Sequence, residues 1–216
     1  MSLHYDAPIV IEPPQAARQC VIWMHGLGAD GSDFVPIVPE LGLPEDHSIR
    51  FIFPHAAVQP VTINNGYQMR AWYDILEMNL GRKVDEAGVA ESSTYILRLI
   101  EEQKAQGISE ENMVLAGFSQ GGVIAFDVAL QMQTKPAGVL ALSTYLISAH
   151  QNGQGLKVLQ CHGTQDTVVP LSLGEAARDE VINRGAEVTW RTYPMEHSVH
   201  PAEISDIGAW LAERLS

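Results

Sequence analysis

The sequence is poor in basic residues and in cysteine, and it has no long apolar run. Its 13 lysines and arginines face 26 acidic residues, which gives a formal net charge of −13. Such a surface repels phosphate backbones and anionic membranes, so we expect no nucleic-acid partner. No apolar run approaches the roughly 18 residues that a membrane-spanning helix needs, so we expect no stable membrane insertion. The first residues lack the basic and apolar regions of a secretory signal, which favours a cytoplasmic location.

The two cysteines, Cys20 and Cys161, each lie in a short apolar run. A disulfide requires an oxidising compartment, and nothing in the sequence indicates one. We therefore expect both thiols to be reduced and buried in strands.

Hydrophobic residues make up 46% of the chain and are arranged as short apolar runs that alternate with longer amphipathic stretches. The short runs end at glycine, proline or polar turns, as buried strands do; they cover residues 20–24, 49–54, 112–118, 137–143, 156–163 and 187–194. Helical spacing of apolar residues is found in the stretches 90–107, 120–133, 171–184 and 201–215. This alternation predicts an α/β fold, in which a mostly parallel sheet is covered by helices on both faces. The length favours a single domain, residues 1–216.

One long segment, residues 55–83, interrupts the alternation. It is rich in aromatic residues, and its apolar positions follow neither helix nor strand spacing. Long irregular connections in compact domains are commonly binding loops or lids. We expect this segment to form part of a substrate site, and apolar residues exposed there would allow a homodimer.

The stretch GFSQGG places Gly117, Ser119 and Gly121 in a G-x-S-x-G pattern between a predicted strand and a predicted helix. A tight reversal from strand to helix strains the central residue, and flanking glycines remove side chains that would collide. Ser119 would then be exposed at the carboxyl edge of the sheet, where functional groups gather in such folds. The alternative is a glycine-rich turn whose serine caps the next helix.

A serine hydroxyl becomes a good nucleophile only when a base accepts its proton and a third group orients that base. On a fold of this type the acid and then the histidine follow the serine along the chain. Asp166 directly follows the predicted strand 156–163 and would equally suit an ordinary turn. Asp127 and Asp179 lie inside predicted helices and should point away from the sheet edge. The histidines after the serine are His150, His162, His197 and His200.

Four motifs, in this order and spacing, resemble the carboxylesterase and acyl-protein thioesterase family of α/β-hydrolases, which includes enzymes described as lysophospholipases. They are WMHGLGADGSDF, AGFSQGG, CHGTQDTVVP and YPMEHSV. The similarity begins near residue 18 and includes AWYDI in the long segment. It implies the small version of the α/β-hydrolase fold, without a separate cap domain. It also implies that Ser119 is the nucleophile, Asp166 the acid and His197 the base.

The same resemblance implies an oxyanion hole formed by the backbone N–H groups of Leu27 and Gln120. A tetrahedral intermediate needs two such donors aimed at its negative oxygen. We expect Gly28, in the same glycine-rich loop, to let the backbone approach the substrate. His25 precedes Ser119, against the expected order, and is interpreted as a structural residue that anchors the loop.

Trp72, in the long segment, is expected to form a wall of the substrate pocket; the alternative is that it packs the segment onto the core. Family members often carry Met-Pro-Ser before this tryptophan, where the present sequence has Met69, Arg70 and Ala71. The arginine adds a charge close to where an acyl chain would lie. We expect it to affect acyl-chain preference more than the chemistry.

These residues together predict a serine hydrolase that cleaves carboxylic esters of small to medium acyl chain through an acyl-enzyme intermediate. Its substrate would be a small-molecule ester or thioester, with no cofactor and no metal. One alternative is an acyl-protein thioesterase or lysophospholipase that acts on longer chains, and another is a non-catalytic binding protein on the same fold. A metallohydrolase built on His197 and His200 is disfavoured, because zinc-binding pairs on a helix are spaced four apart around a glutamate. Pro201 also opposes a helix through both histidines.

Overall fold

The structure of the protein, a computed structural model, describes residues 3–77 and 83–215. Its strands are β1 (Ile9–Ile11), β2 (Gln19–Met24), β3 (Ile49–Phe53), β4 (Val58–Val61), β5 (Tyr67–Arg70), β6 (Met113–Phe118), β7 (Gly138–Leu142), β8 (Lys157–Gly163) and β9 (Glu187–Tyr193). Its α-helices are α1 (Glu86–Ala105), α2 (Gln120–Gln131), α3 (Leu171–Asn183) and α4 (Pro201–Arg214).

The main sheet of the described residues has seven strands in the order β1-β3-β2-β6-β7-β8-β9. Every neighbouring pair is parallel except β1 with β3. This confirms the predicted α/β architecture, and each predicted strand and helix has a counterpart whose ends differ by a few residues. The sequence patterns missed β1, β4 and β5, which have only three or four residues each.

The two faces of the sheet are separated by the alternation of side chains along each strand. In β2, Cys20, Ile22 and Met24 join the core beneath α1, α2 and α3. Val21 and Trp23 join the core on the other face, which α4 and the 3-10 helix Val35–Leu41 cover. Helices therefore cover both faces, as predicted.

Both thiols have the surroundings that the sequence predicts. Cys20 and Cys161 are free and buried. Burial raises the pKa of the Cys20 thiol to about 12, so this sulfur is held as an unreactive neutral group.

The segment 55–83 is more regular than its sequence suggests. Strands β4 and β5 pair as an antiparallel hairpin separate from the main sheet, with a short 3-10 helix at Thr62–Asn64 between them. Pro60 obscured this hairpin, because proline inside a short run argues against a strand unless it lies at an edge. Residues 78–82 of the predicted segment lie outside the described residues.

Candidate active site

Ser119 occupies the sharp turn between β6 and α2. Its backbone has φ 54° and ψ −118°, a conformation that a non-glycine residue adopts only when its surroundings enforce it. The Ser119 N–H donates to the carbonyl of Leu142 at 2.8 Å, and the Thr144 hydroxyl donates to the carbonyl of Ser119 at 2.6 Å. The end of β7 and the residues after it thus hold the strained peptide on both sides.

The glycines around Ser119 are required by close approaches of the backbone. A Cβ on Gly117 would lie 2.2 Å from the carbonyl oxygen of Gly121. A Cβ on Gly121 would lie 2.4 Å from the carbonyl oxygen of Met24. Both distances are shorter than any ordinary contact, so α2 can begin this close to β2 and β6 only with glycine at these positions.

Asp166 and His197 are hydrogen-bonded at the same edge of the sheet. Nδ1 of His197 lies 2.7 Å from Oδ2 of Asp166, and Oδ1 of Asp166 accepts from the N–H groups of Val168 and Val169 at 2.9 Å and 2.8 Å. Asp166 is buried, so these donors replace the water that an ionised carboxylate would otherwise need. Since the carboxylate accepts from Nδ1, the Nε2 of His197 is left to accept a proton.

Two other candidate histidines lie outside the cavity lining, although Nε2 of His162 is 3.6 Å from the same Oδ2 of Asp166. His150 is largely exposed and lies 4.0 Å from Asp127. His162 is fully buried, its Nε2 lies 2.9 Å from the carbonyl of Val169, and burial lowers its pKa. Neither lines the cavity that contains Ser119.

His200 caps helix α4. Its Nδ1 accepts from the N–H of Ala202 at 3.1 Å, and its own N–H donates to Oε2 of Glu203 at 3.1 Å. His197 and His200 therefore bind different partners, although only three residues separate them. The predicted helical stretch 201–215, which begins directly after His200, agrees with this geometry.

A cavity of about 440 Å³ opens beside the sharp turn between β6 and α2 that carries Ser119, which we call the elbow. The residues that line it include Ser119 and His197 together with Leu27 and Gln120. The N–H of Leu27 makes no hydrogen bond in the part of the chain that the structure describes. Gln120 is the first residue of α2, so its N–H has no intrahelical acceptor. Two backbone donors next to one serine form an arrangement able to bind an oxyanion.

The side chain of Gln120 ties the long segment to the elbow. Its Oε1 accepts from the N–H of Trp72 at 2.8 Å, and its Nε2 donates to the carbonyl of Tyr73 at 2.7 Å. Both bonds are buried. One residue thus fixes the backbone of the segment that carries Ile75, a residue of the cavity wall.

Trp72 does not form a wall of the cavity, contrary to the sequence-based expectation. It is fully buried, and its indole N–H donates to the carbonyl of His25 at 2.8 Å. The alternative interpretation, a residue that packs the segment onto the core, describes it correctly. Hydrogen bonds to His25 and Gln120 fix the orientation of Trp72. Both partners lie outside the long segment, so the pattern of residues within it does not reveal this orientation.

Gly28 and Arg70 also lie away from the cavity lining. The N–H of Gly28 donates to the carbonyl of Arg70 at 2.8 Å, with φ 77° at the glycine, so Gly28 joins the glycine-rich loop to β5 instead of lining the cavity. The guanidinium of Arg70 donates to the carbonyl of Ala56 at 2.8 Å and to Asp6 at 2.6 Å. Its charge is therefore paired outside the cavity. Arg70 does not line the cavity, so no contact supports the expected effect on acyl-chain preference.

His25 anchors its loop in the way the sequence suggests. Its Nδ1 lies 2.7 Å from the carbonyl of Gly26, and its Nε2 accepts from the N–H of Ala56 at 3.0 Å. Burial lowers the pKa of His25 to about 4. The ring is thus neutral at physiological pH, with both nitrogens occupied.

Several cavity residues escaped the sequence-based reasoning. Ile63, Ile75 and Tyr145 supply apolar walls, Val168 lies at the exposed rim, and Asp33 contributes a carboxylate. Asp33 comes six residues after the predicted site residue Leu27, and Val168 two residues after Asp166. This closeness in the chain is the one feature of the sequence that could have indicated them. The described residues contain no group of three or more His, Cys, Asp or Glu placed to hold a metal ion, and no described helix is long and apolar enough to cross a bilayer.

A mostly parallel sheet with a serine on a strained strand-to-helix turn and an Asp–His pair at the same edge defines an α/β-hydrolase. The family model described as Phospholipase/Carboxylesterase matches residues 5–215. The chain belongs to this family of hydrolases, as the four sequence motifs predict.

Named relatives agree with this assignment. The chain is 35% identical over 221 residues to a protein from Yarrowia lipolytica named acyl-protein thioesterase 1, covering 96% of this chain and 97% of that one. The crystal structure of Arabidopsis thaliana SOBER1 superposes with a TM-score of 0.83 at 30% identity, covering 93% of this chain and 100% of the other. A carboxylesterase from Mesorhizobium loti, with a TM-score of 0.78 at 16% identity over 97% of each chain, shares the fold.

Proposed function

We propose that the protein is a serine hydrolase that cleaves carboxylic esters of small to medium acyl chain through an acyl-enzyme intermediate. One observation carries the proposal: Ser119 and His197 line one cavity with Leu27 and Gln120, and His197 is hydrogen-bonded to the buried Asp166. Each group that ester hydrolysis requires thus has a candidate at one edge of the sheet.

In this mechanism Oγ of Ser119 attacks the carbonyl carbon while Nε2 of His197 accepts its proton. Asp166 stabilises the imidazolium that forms, and the N–H groups of Leu27 and Gln120 bind the negative oxygen. His197 then gives the proton to the departing alcohol as the carbon–oxygen bond breaks. Water, activated by His197, attacks the acyl-enzyme and releases the acid. The sequence of steps uses no cofactor.

The size and walls of the cavity support the proposed acyl preference. Its volume is about 440 Å³, near the lower end of the usual range for small-molecule sites. Ile63, Ile75 and Tyr145 offer an apolar surface for a short or medium acyl chain. A longer chain would have to extend beyond this volume into solvent.

A second candidate is a thioesterase, favoured by relatives that carry the name acyl-protein thioesterase 1. The same groups would act on a thioester, since the tetrahedral intermediate and its charge are alike. Lysophospholipase activity would demand the longer acyl chains that the cavity volume does not favour. The two candidates differ only in leaving group and chain length, so matched substrates separate them.

The test is the kcat/KM of the purified protein on p-nitrophenyl esters from acetate to laurate and on thioesters of the same acyl groups. We expect a maximum at short to medium chains and at least as fast turnover of oxygen esters. Ser119→Ala should lower kcat by about 10⁴-fold or more and abolish labelling by a fluorophosphonate probe. A folded wild type that takes no label would instead support the non-catalytic alternative, and an active Ser119→Ala would exclude the assigned nucleophile.

A further inference from the structure

The cavity beside Ser119 carries one unpaired negative charge. Asp33 is the one Asp or Glu among the described residues that line it. No salt bridge or side-chain hydrogen bond to this carboxylate occurs in the described part of the chain, although its neighbour Asp30 is bonded to Ser32 at 2.6 Å. Partial burial, with Asp30 nearby, raises the pKa of the Asp33 carboxyl. The carboxylate is exposed to solvent and has no partner among the described residues, so a positively charged ligand group can approach it.

Ring contacts connect the chain next to Asp33 with His197. Its chain neighbour Phe34 packs on Phe118, with ring centroids 5.7 Å apart. Phe118 in turn packs on the imidazole of His197 at 4.7 Å. The chain next to Asp33 is thus packed, through Phe34, on the ring that contacts His197.

Another part of the cavity lining is apolar. Ile63 and Ile75 are joined by a backbone hydrogen bond of 3.1 Å, and Tyr145 is tied to Tyr73 by a bond of 2.8 Å between their hydroxyls. These side chains come from the long segment and from the residues after β7. The cavity lining thus combines an apolar wall with one acidic residue.

The chemistry of ester cleavage relates the two halves of an ester to these parts of the lining. His197 must reach the leaving-group oxygen to protonate it, so the leaving group lies on the side of His197. The acyl chain then takes the apolar side. A charged substituent on the alcohol would come close to Asp33, whereas one at the far end of the acyl chain would not.

We propose that Asp33 makes the enzyme selective for esters and thioesters whose leaving group carries a positive charge. This inference rests on the proposed hydrolase function and narrows its substrate class. Opposite charges separated by several ångströms in a partly solvated cleft change kcat/KM by about fivefold. Esters with an anionic alcohol are repelled by the same carboxylate and should be poor substrates.

The experiment compares butyrylcholine with 3,3-dimethylbutyl butyrate, which has the same shape and acyl group but no charge. At pH 8 the wild type should show about fivefold higher kcat/KM for the cationic ester. Asp33→Asn should bring this ratio close to one, and Asp33→Glu should restore a preference for the cation. Glu40→Gln, which removes an exposed carboxylate outside the cavity lining, should keep the wild-type ratio.

Three results would contradict the inference, and they can be told apart. A ratio that is the same in the wild type and in Asp33→Asn removes Asp33 from the recognition of charge, while the hydrolase function stands. If the ratio falls as much in Glu40→Gln as in Asp33→Asn, the preference comes from the net charge of −13 and not from Asp33. If the wild type hydrolyses neither ester, the result contradicts the proposed hydrolase function itself, on which the role of Asp33 rests. A second series, with an ammonium group at the end of the acyl chain and a neutral alcohol, should show no dependence on Asp33.

Discussion

His197 and His200, three positions apart after β9, have different roles. His197 directs Nδ1 at a buried carboxylate and leaves Nε2 towards the cavity, whereas His200 uses Nδ1 to cap α4. Pro201 separates them by fixing the start of the helix, because its ring suits the first helical position. The two side chains should therefore respond differently to the same substitution.

His197→Ala should lower kcat by about 10⁴-fold or more, because Ser119 loses its base. His200→Ala should keep most of the turnover and instead lower the free energy of unfolding by about 1 kcal/mol through the lost cap. Turnover of p-nitrophenyl butyrate and urea unfolding measure the two effects. A His200→Ala protein that is folded and inactive, beside an active His197→Ala, would reverse the assignment.

The sequence predicts best those site residues whose position follows from the end of a strand. Ser119 is the residue after β6 and Asp166 lies three residues after β8, and parallel strands bring their carboxyl ends to one edge. Trp72 could not be placed in this way, because the direction of a side chain within a long connection is decided by tertiary partners. Asp33 lies eight residues beyond the loop histidine His25, and only the folded chain shows that it borders the cavity.

At the scale of elements, the approach of α2 to the sheet is limited by backbone contacts at its first turn. Gly121→Ala would put a Cβ 2.4 Å from the carbonyl oxygen of Met24, so α2 has to move outward. We expect a loss of a few kcal/mol in the free energy of unfolding. We also expect at least a tenfold fall in kcat, because the N–H of Gln120 moves with the helix.

Gly42→Ala is the matched control for this prediction. Its Cβ would meet nothing within 4 Å, but its φ of 63° is unfavourable for alanine, which costs about 1 kcal/mol. Urea unfolding and kcat should show a stability loss without a catalytic loss. Equal kcat in Gly121→Ala and the wild type would show that the start of α2 does not set the geometry of the elbow.

Strands and helices differ in how well their sequences predict them. The buried parallel strands are continuous apolar runs because both faces are covered, and the glycine at φ 92° after α1, Gly107, ends that helix as its sequence predicts. The hairpin of β4 and β5 has no such signature. It is short, contains Pro60 and is largely exposed on β4, so neither burial nor periodicity distinguishes it from a loop.

At the scale of the whole molecule, stability depends on a buried acid in the first turn of α4. Glu203 is fully buried; its Oε2 accepts from the N–H of His200, while its Oε1 has no partner among the described residues. Burial raises its pKa from 4.5 to about 7, and the nearby Asp206 adds to this. The folded protein therefore holds a proton on Glu203 over a pH range in which the unfolded chain has released it.

The sign of the pH dependence follows from this difference. Between about pH 4.5 and 7 the folded state binds more protons than the unfolded state, so the free energy of unfolding falls as pH rises through this range. The stabilisation is complete below the unfolded pKa and is lost as pH passes the folded one. For a pKa raised to about 7, the total loss from this single group is of the order of 3 kcal/mol.

Glu203→Gln removes this titration while keeping the size of the side chain and an acceptor for the N–H of His200. Urea unfolding at pH 5, 6, 7 and 8 should show the wild type losing about 2 to 3 kcal/mol relative to the variant from the lowest to the highest pH. All other titrating groups are common to both proteins, so the difference between the two curves isolates Glu203. Parallel curves would mean that Glu203 titrates alike in the folded and unfolded chains. Helix α4 would then be held by its apolar face, Ile207 and Leu211, independently of the protonation of Glu203.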